Sequence, residues 1–150
     1  MFTELESKIL EIAQKHFNEK ISKDELEIIE KHGWGHENWF QNELLIALNR
    51  AGLDTKTLSK KGKDADLVIE TEGKNIGIEL RTTVKGRTPR LIKALSQHKN
   101  AEIYLFLTQI SQTAKTIENL NNKLSQNYHY KIAELKHPDW MLVLVKKKKE

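Results

Sequence analysis

The chain has 150 residues, of which 38% are hydrophobic and 31% charged, and its formal net charge is +4. This length is enough for one globular domain with a core and too short for two large domains. The absence of cysteine excludes disulfides and thiolate-bound zinc. No run of about 18 apolar residues predicts a membrane span, and the N-terminus lacks the layout of a signal peptide. We therefore expect a cytoplasmic protein without a membrane partner.

Charge is unevenly distributed along the sequence. Residues 1–50 carry a net charge of −4, residues 51–100 carry +5 and residues 101–150 carry +3. A basic stretch of this kind attracts phosphates, although a solvated lysine-rich surface is an equal alternative. The candidate nucleic-acid contacts in the basic stretch are Lys61, Lys63, Lys85, Arg87, Arg90 and Lys93.

Three helices are predicted in the first third of the chain. Apolar residues at helical spacing predict an amphipathic helix over residues 3–18. Ser22, followed by Glu25, has the capping-box pattern that begins a second, short helix. The third helix runs from residue 37 to residue 50, and Gly52 is in position to cap its C-terminal end.

The pattern then changes to that of strands. Residues 65–71 and 76–83 predict a β-hairpin with its turn at residues 72–75, because apolar and polar side chains alternate in the second of these segments. The elements predicted after the hairpin are a helix from Pro89 to about His98, a buried strand over residues 102–108, a helix that begins at Ser111 or Thr113, and a strand over residues 140–145. The predicted order is α-α-α-β-β-α-β-α-β, which indicates an α/β fold in a single domain, residues 1–150.

Two acidic residues come together in the predicted hairpin. Asp66 opens the first strand and Glu79 lies in the second, so that the turn brings them nearly opposite one another. Glu79 and Arg81 share a face because side chains alternate along a strand. Adjacent carboxylates repel unless a cation neutralises them, and Mg²⁺ (or Mn²⁺) is the usual ion at an all-oxygen site. We expect Asp66 and Glu79 to hold this metal, and Arg81 to offset charge on a phosphoryl oxygen and orient water.

These segments resemble the PD-(D/E)XK nuclease superfamily, and within it the archaeal Holliday-junction-resolvase-like branch. That family has a helix, a β-hairpin, a helix and a strand, with an acidic residue in the first helix, an Asp at the first hairpin strand and Glu-x-Lys in the second. The matching segments here are Gln41-Asn42-Glu43-Leu44-Leu45, Ala65-Asp66-Leu67-Val68 and Glu79-Leu80-Arg81.

The resemblance covers residues 36–110 and implies a restriction-endonuclease-like core, with a mixed sheet and a β-hairpin flanked by helices. Residues 1–33 would then be an N-terminal helical accessory, and residues 111–150 a C-terminal helix and strand. The implied activity is metal-dependent hydrolysis of nucleic acid by an endodeoxyribonuclease, with DNA favoured over RNA. Resolvase-like members are typically homodimers, so a homodimer is a possible assembly.

The match departs from the family at two positions. Arg81 stands in place of the family lysine; it keeps the positive charge but cannot give up a proton. The family's helix acid falls on Gln41, and Glu37, one turn earlier, could reach the same site from the same helix face. The implied catalytic residues are therefore Asp66, Glu79 and Arg81, supported by Gln41 or Glu37.

Two other functions are compatible with the sequence. A degenerate nuclease-fold protein would bind nucleic acid without cutting it, which the arginine at position 81 favours. A protein-interaction domain would pair Asp66 with Arg81 as a structural ion pair across the hairpin.

Overall fold

The three-dimensional description comes from a computed structural model of the chain. It describes residues 1–32, 37–57, 66–71, 73–83, 101–109, 122, 127–137 and 140–148. These residues form helices α1 (Glu4–Glu19), α2 (Lys23–His32) and α3 (Glu37–Arg50), and strands β1 (Thr55–Thr57), β2 (Leu67–Thr71), β3 (Lys74–Thr83), β4 (Ile103–Gln109), β5 (Tyr128–Glu134) and β6 (Trp140–Lys147). The fold is α/β.

Capping boxes begin the first two helices. At α1, the Thr3 hydroxyl accepts from the Glu6 amide at 3.1 Å, and the Glu6 carboxylate accepts from the Thr3 amide at 2.8 Å. At α2, the Ser22 hydroxyl accepts from the Glu25 amide at 3.1 Å. Each box satisfies amide groups that have no partner within the helix. The capping box predicted at Ser22 is confirmed.

A left-handed glycine ends α3. Gly52 has φ +90°, and its amide donates to the Asn49 carbonyl at 3.0 Å. The Leu53 amide donates to the Leu48 carbonyl, also at 3.0 Å. These two bonds form a Schellman motif, so the cap predicted at Gly52 is confirmed.

The six strands form one mixed sheet in the order β1-β2-β3-β4-β6-β5. Strand β4 lies parallel to β3, and the other neighbouring pairs are antiparallel. The β2–β3 hairpin is confirmed, with a tighter turn than predicted: Thr71 pairs with Lys74, which leaves a two-residue turn. Gly73 adopts φ +78° there, a value that glycine reaches without steric cost.

The predicted element order is wrong at two positions. Strand β1 was not predicted because three residues, Thr-Lys-Thr, show no apolar alternation; Asn49 holds this strand, bonding both backbone groups of Thr55. Strand β5 was not predicted either, because most of its residues are only partly buried and its sequence lacks a clear apolar alternation; it pairs with β6, the next strand of the chain. The helices predicted after Pro89 and after Ser111 or Thr113 lie outside the described residues.

The sheet has two faces with separate apolar clusters. We call the face that carries Ile78 and Leu80 the first face; it packs against buried residues of all three helices. The second face carries Tyr104, Phe106, Met141, Val143 and Val145. Helices α1 and α3 therefore lie on the first face of the sheet.

Side chains of α1 also tie the helix to the far edge of the sheet. The Gln14 amide donates to the Glu134 carbonyl at 2.8 Å, and the Asn18 oxygen accepts from the Lys136 amide at 2.8 Å. None of the helices in the described part of the chain has the length and apolar character needed to cross a bilayer.

Candidate functional site: a carboxylate pair at the β2–β3 junction

Asp66 and Glu79 meet at the point where β2 begins. Leu67, the first residue of β2, pairs with Ile78, and Asp66 directly precedes it. The Asp66 side chain bonds the backbone amide of Leu80, the residue after Glu79. Ile78 and Leu80 lie on the first face, so Glu79 lies on the second. We call Asp66 and Glu79 the carboxylate pair.

A backbone hydrogen bond fixes Asp66 at this point. The Leu80 amide donates to Oδ2 of Asp66 at 2.9 Å, so a carboxylate accepts a hydrogen bond that would go to a backbone carbonyl if the β2–β3 ladder continued. Strand β3 extends beyond this bond to Thr83, paired there with β4. The carboxylate pair therefore lies where β2 separates from β3.

Glu79 is buried, with 2% of its surface exposed. Its partner in β4 is Tyr104, which is 4% exposed and stacks on Phe106 with ring centroids 6.5 Å apart. Burial raises the pKa of Tyr104 above its ordinary value of 10.0, and electrostatic interactions with Tyr128 and then Glu79 raise this pKa further. The phenol next to the carboxylate pair is thus a neutral hydrogen-bond donor at neutral pH.

Helix α3, which carries the predicted helix residues, packs on the first face of the sheet. Phe40 and Leu44 of α3 pack in the same cluster as Leu80, which is on the opposite face from Glu79. Gln41 is half-buried on this helix. The position of α3 does not favour the predicted role of Gln41 in supporting the metal ligands. That role stays a prediction.

Glu43, the other acidic residue in the matching helix segment, faces α1. Its Oε2 lies 2.7 Å from Nε2 of His16, so this carboxylate joins two helices. The side chain of Glu37, which begins α3, lies outside the described residues, as does that of Arg81, whose backbone pairs with Phe106.

The basic residues predicted to contact nucleic acid all fall outside the described part of the chain. They are Lys61, Lys63, Lys85, Arg87, Arg90 and Lys93. Their roles stay predictions.

The carboxylate pair has the donor chemistry of a small hard cation. Mg²⁺ is typically held by one or two protein carboxylates, with waters and substrate phosphates completing its shell. Among the described residues no group of three or more His, Cys, Asp or Glu side chains is placed to hold a metal. The described residues therefore fit a metal ion whose remaining ligands are waters and substrate oxygens. They do not fit a site in which the protein supplies every ligand.

Two features of the site were not predicted from the sequence. The Leu80 amide could not be identified because any residue has one; only the register shows which amide meets Asp66. Tyr104 neighbours Glu79 because β4 lies parallel to β3, a long-range pairing. The sequence signal for Tyr104 was an aromatic residue in a buried strand. Such a residue is equally typical of a hydrophobic core without a functional role.

Comparisons of the chain with protein-family models, with curated proteins and with solved structures find no match. The residues of the chain and their placement are therefore the basis for assigning a function.

Proposed function

We propose that this chain is a metal-dependent nuclease of the PD-(D/E)XK type with a restriction-endonuclease-like core. One observation supports the proposal: the Asp66 carboxylate accepts from the amide of Leu80, the residue that follows the buried Glu79. Carboxylate oxygens are the protein ligands that Mg²⁺ prefers, and one or two of them are enough when a substrate phosphate completes the coordination shell. The order of α3, the β2–β3 hairpin and the parallel strand β4 also agrees with the resemblance.

Each residue of the site has a distinct role in this proposal. Asp66 and Glu79 hold Mg²⁺ or Mn²⁺, and Asp66 is oriented by the Leu80 amide. The metal, when bound, lowers the pKa of a water ligand and stabilises charge on the phosphoryl group. Arg81, two residues along the strand from Glu79, offsets negative charge on the phosphate and orients water.

DNA is the proposed substrate, and the basic residues from Lys61 to Lys93 are proposed to follow its backbone. Phosphate contacts by lysine and arginine supply affinity without reading sequence. A homodimer would match the two-fold symmetry of a junction or a palindromic site.

A second candidate function is nucleic-acid binding without cleavage. The observation in its favour is the position of α3: the helix that supplies an acid in the family lies on the face opposite Glu79 and carries Gln41 at the matching position. The Asp66–Leu80 bond also gives Asp66 a structural role that needs no metal.

Cleavage of a labelled panel distinguishes the two candidates. The panel contains duplex, single-stranded, flap and four-way-junction DNA and single-stranded RNA, each with Mg²⁺, Mn²⁺ or EDTA. Asp66→Asn keeps an oxygen that accepts from the Leu80 amide and removes the charge, and Glu79→Gln keeps the side-chain shape. We expect each to reduce metal-dependent cleavage by about 10²-fold or more.

Glu70→Gln is the matched control, because Glu70 is an exposed carboxylate of the same hairpin that pairs with Lys56 at 3.2 Å. This variant should cleave within about twofold of the unchanged protein. Salt-sensitive binding without cleavage by either metal would establish the second candidate. Neither binding nor cleavage would overturn both, and would favour a protein partner.

A further inference from the structure

A groove runs between the C-terminal halves of α1 and α3, the helices that pack on the first face of the sheet. Its volume is about 320 Å³, and Ile12, Ala47 and Ala51 contribute its apolar surface. Sites for small molecules commonly have volumes of about 300–1,000 Å³ and mainly apolar linings. We call this feature the α1–α3 groove; it is large enough for a small ligand.

Three cations line the same groove. Lys15 and Lys20 come from the end of α1, and Arg50 comes from the last turn of α3. Glu19 is the acidic residue in the lining, so the formal charge of these four side chains is +2. None of the four has an ion-pair partner within 4 Å among the described residues.

The positive charge of the groove contrasts with its surroundings, because residues 1–50 carry a net charge of −4. Cations near a helix C-terminus interact favourably with the helix dipole, which accounts for Arg50 and Lys20 individually. The dipoles do not account for Lys15, which lies more than one turn before Lys20, or for the apolar surface among the three cations.

His16 gives the groove a fixed wall. Its side chain is 9% exposed and bonds Glu43 across the two helices. The bond uses Nε2, so it holds α1 and α3 at a set separation and keeps the groove open beside it. A groove with a rigid wall loses little conformational freedom when a ligand binds, which favours affinity.

We propose that the α1–α3 groove binds a small anion with an apolar body. The apolar part lies on Ile12, Ala47 and Ala51, and a carboxylate or phosphate head lies between Lys15, Lys20 and Arg50. Both an aliphatic carboxylate and a nucleoside monophosphate have this chemistry. The site is separate from the carboxylate pair, and the proposal does not depend on nuclease activity.

The test uses the full chain and the fluorescent anion anilinonaphthalene sulfonate as the probe. We expect saturable binding that octanoate or adenosine monophosphate displaces and that octylammonium, an apolar cation, does not. Displacement by octanoate alone identifies an aliphatic ligand, whereas displacement by adenosine monophosphate alone identifies a nucleotide-like one.

Variants locate the site. Arg50→Gln combined with Lys20→Gln should weaken probe binding by about tenfold, since each exposed cation contributes a modest attraction to the anion. Ala51→Leu fills the groove from an exposed position and should weaken binding similarly. The matched controls are Lys23→Gln, an exposed cation of α2, and Asn42→Leu, which adds an apolar side chain elsewhere on α3; neither should change binding.

Circular dichroism checks that each variant is folded. No saturable binding to the unchanged protein, or equal displacement by octylammonium, would overturn the proposal. Binding that survives both Ala51→Leu and the Arg50→Gln, Lys20→Gln double variant would also overturn it, because the probe would then lie elsewhere.

Discussion

Glu6 is a nearly buried carboxylate at the beginning of α1, with 4% of its surface exposed. Its Oε1 accepts from the Thr3 amide at 2.8 Å and from Nζ of Lys146 at 2.9 Å. The first bond caps α1, and the second joins this helix to β6 across 140 positions of sequence. One carboxylate therefore fixes both the start of α1 and its position on the sheet.

We predict unequal effects from removing the two partners of this ion pair. Glu6→Ala removes one of the two bonds of the capping box and leaves Lys146, whose side chain is 17% exposed, without its carboxylate; we expect a loss of about 3 kcal/mol. Lys146→Met leaves Glu6 bonded to Thr3 near the positive end of the helix, so the loss should be about 1 kcal/mol. Chemical denaturation measures both free energies of unfolding.

Lys147→Met is the control for this pair, because Lys147 is the exposed neighbour of Lys146 in the same strand. Its free energy of unfolding should stay within about 0.5 kcal/mol of the unchanged protein. Equal losses from Glu6→Ala and Lys146→Met would contradict the account, since they would mean that the capping bond contributes nothing.

The C-terminal end of α3 depends on the backbone conformation of a single residue. We predict that Gly52→Ala lowers the free energy of unfolding by about 1 kcal/mol, because φ +90° is costly for a residue with a Cβ. Nothing lies within 4 Å of a Cβ built at Gly52, so the loss comes from the backbone alone. Gly52→Asn should cost less, since asparagine tolerates this conformation. Equal stability of the Gly52→Ala variant and the unchanged protein would contradict the assignment of Gly52 as a left-handed helix cap.

Elements with a distinctive sequence pattern could be predicted from the sequence, and those without one could not. The caps at Ser22 and Gly52 have such patterns, as does the hairpin whose turn contains Gly73, and all three are present. Strand β5 pairs with β6, the next strand of the chain, but its own sequence lacks a clear apolar alternation. Strand β1 is short, and it depends on the hydrogen bonds that the Asn49 side chain makes to the backbone of Thr55.

The same distinction applies to the candidate site. The hairpin followed from the sequence, but its register did not, because the turn is tighter than predicted. Helical spacing shows which side of α3 is buried, but it does not show which face of the sheet that side covers. The predicted roles of Asp66, Glu79 and Gln41 stay predictions.

At the scale of the molecule, residues 1–33 are part of the main core. The cluster on the first face includes Ile9, Leu10, Ala13, Phe17, Ile21, Leu26 and Ile29, each at most 4% exposed. Full burial of a large apolar side chain stabilises a protein by about 1.5–3 kcal/mol. These residues together contribute about as much as the whole net stability of a typical domain, which is about 5–15 kcal/mol. The resemblance implies that residues 1–33 are an accessory, which stays a prediction, and the buried residues of α1 and α2 lie in the same cluster as those of the sheet.

We therefore predict that a chain lacking residues 1–33 does not unfold cooperatively, because the part of the first face that α1 and α2 cover would be exposed to water. Heat or urea followed by circular dichroism and intrinsic fluorescence gives the measurement. Two point variants of α2 test the same idea without truncation: Leu26→Ala should cost about 2–5 kcal/mol, and Ile28→Ala, at a position 53% exposed, should cost less than about 0.5 kcal/mol. A truncated chain with one sharp transition near that of the full chain would show that the strands and α3 form a sufficient core alone. The N-terminal helices would then be an addition to that core, as the resemblance implies.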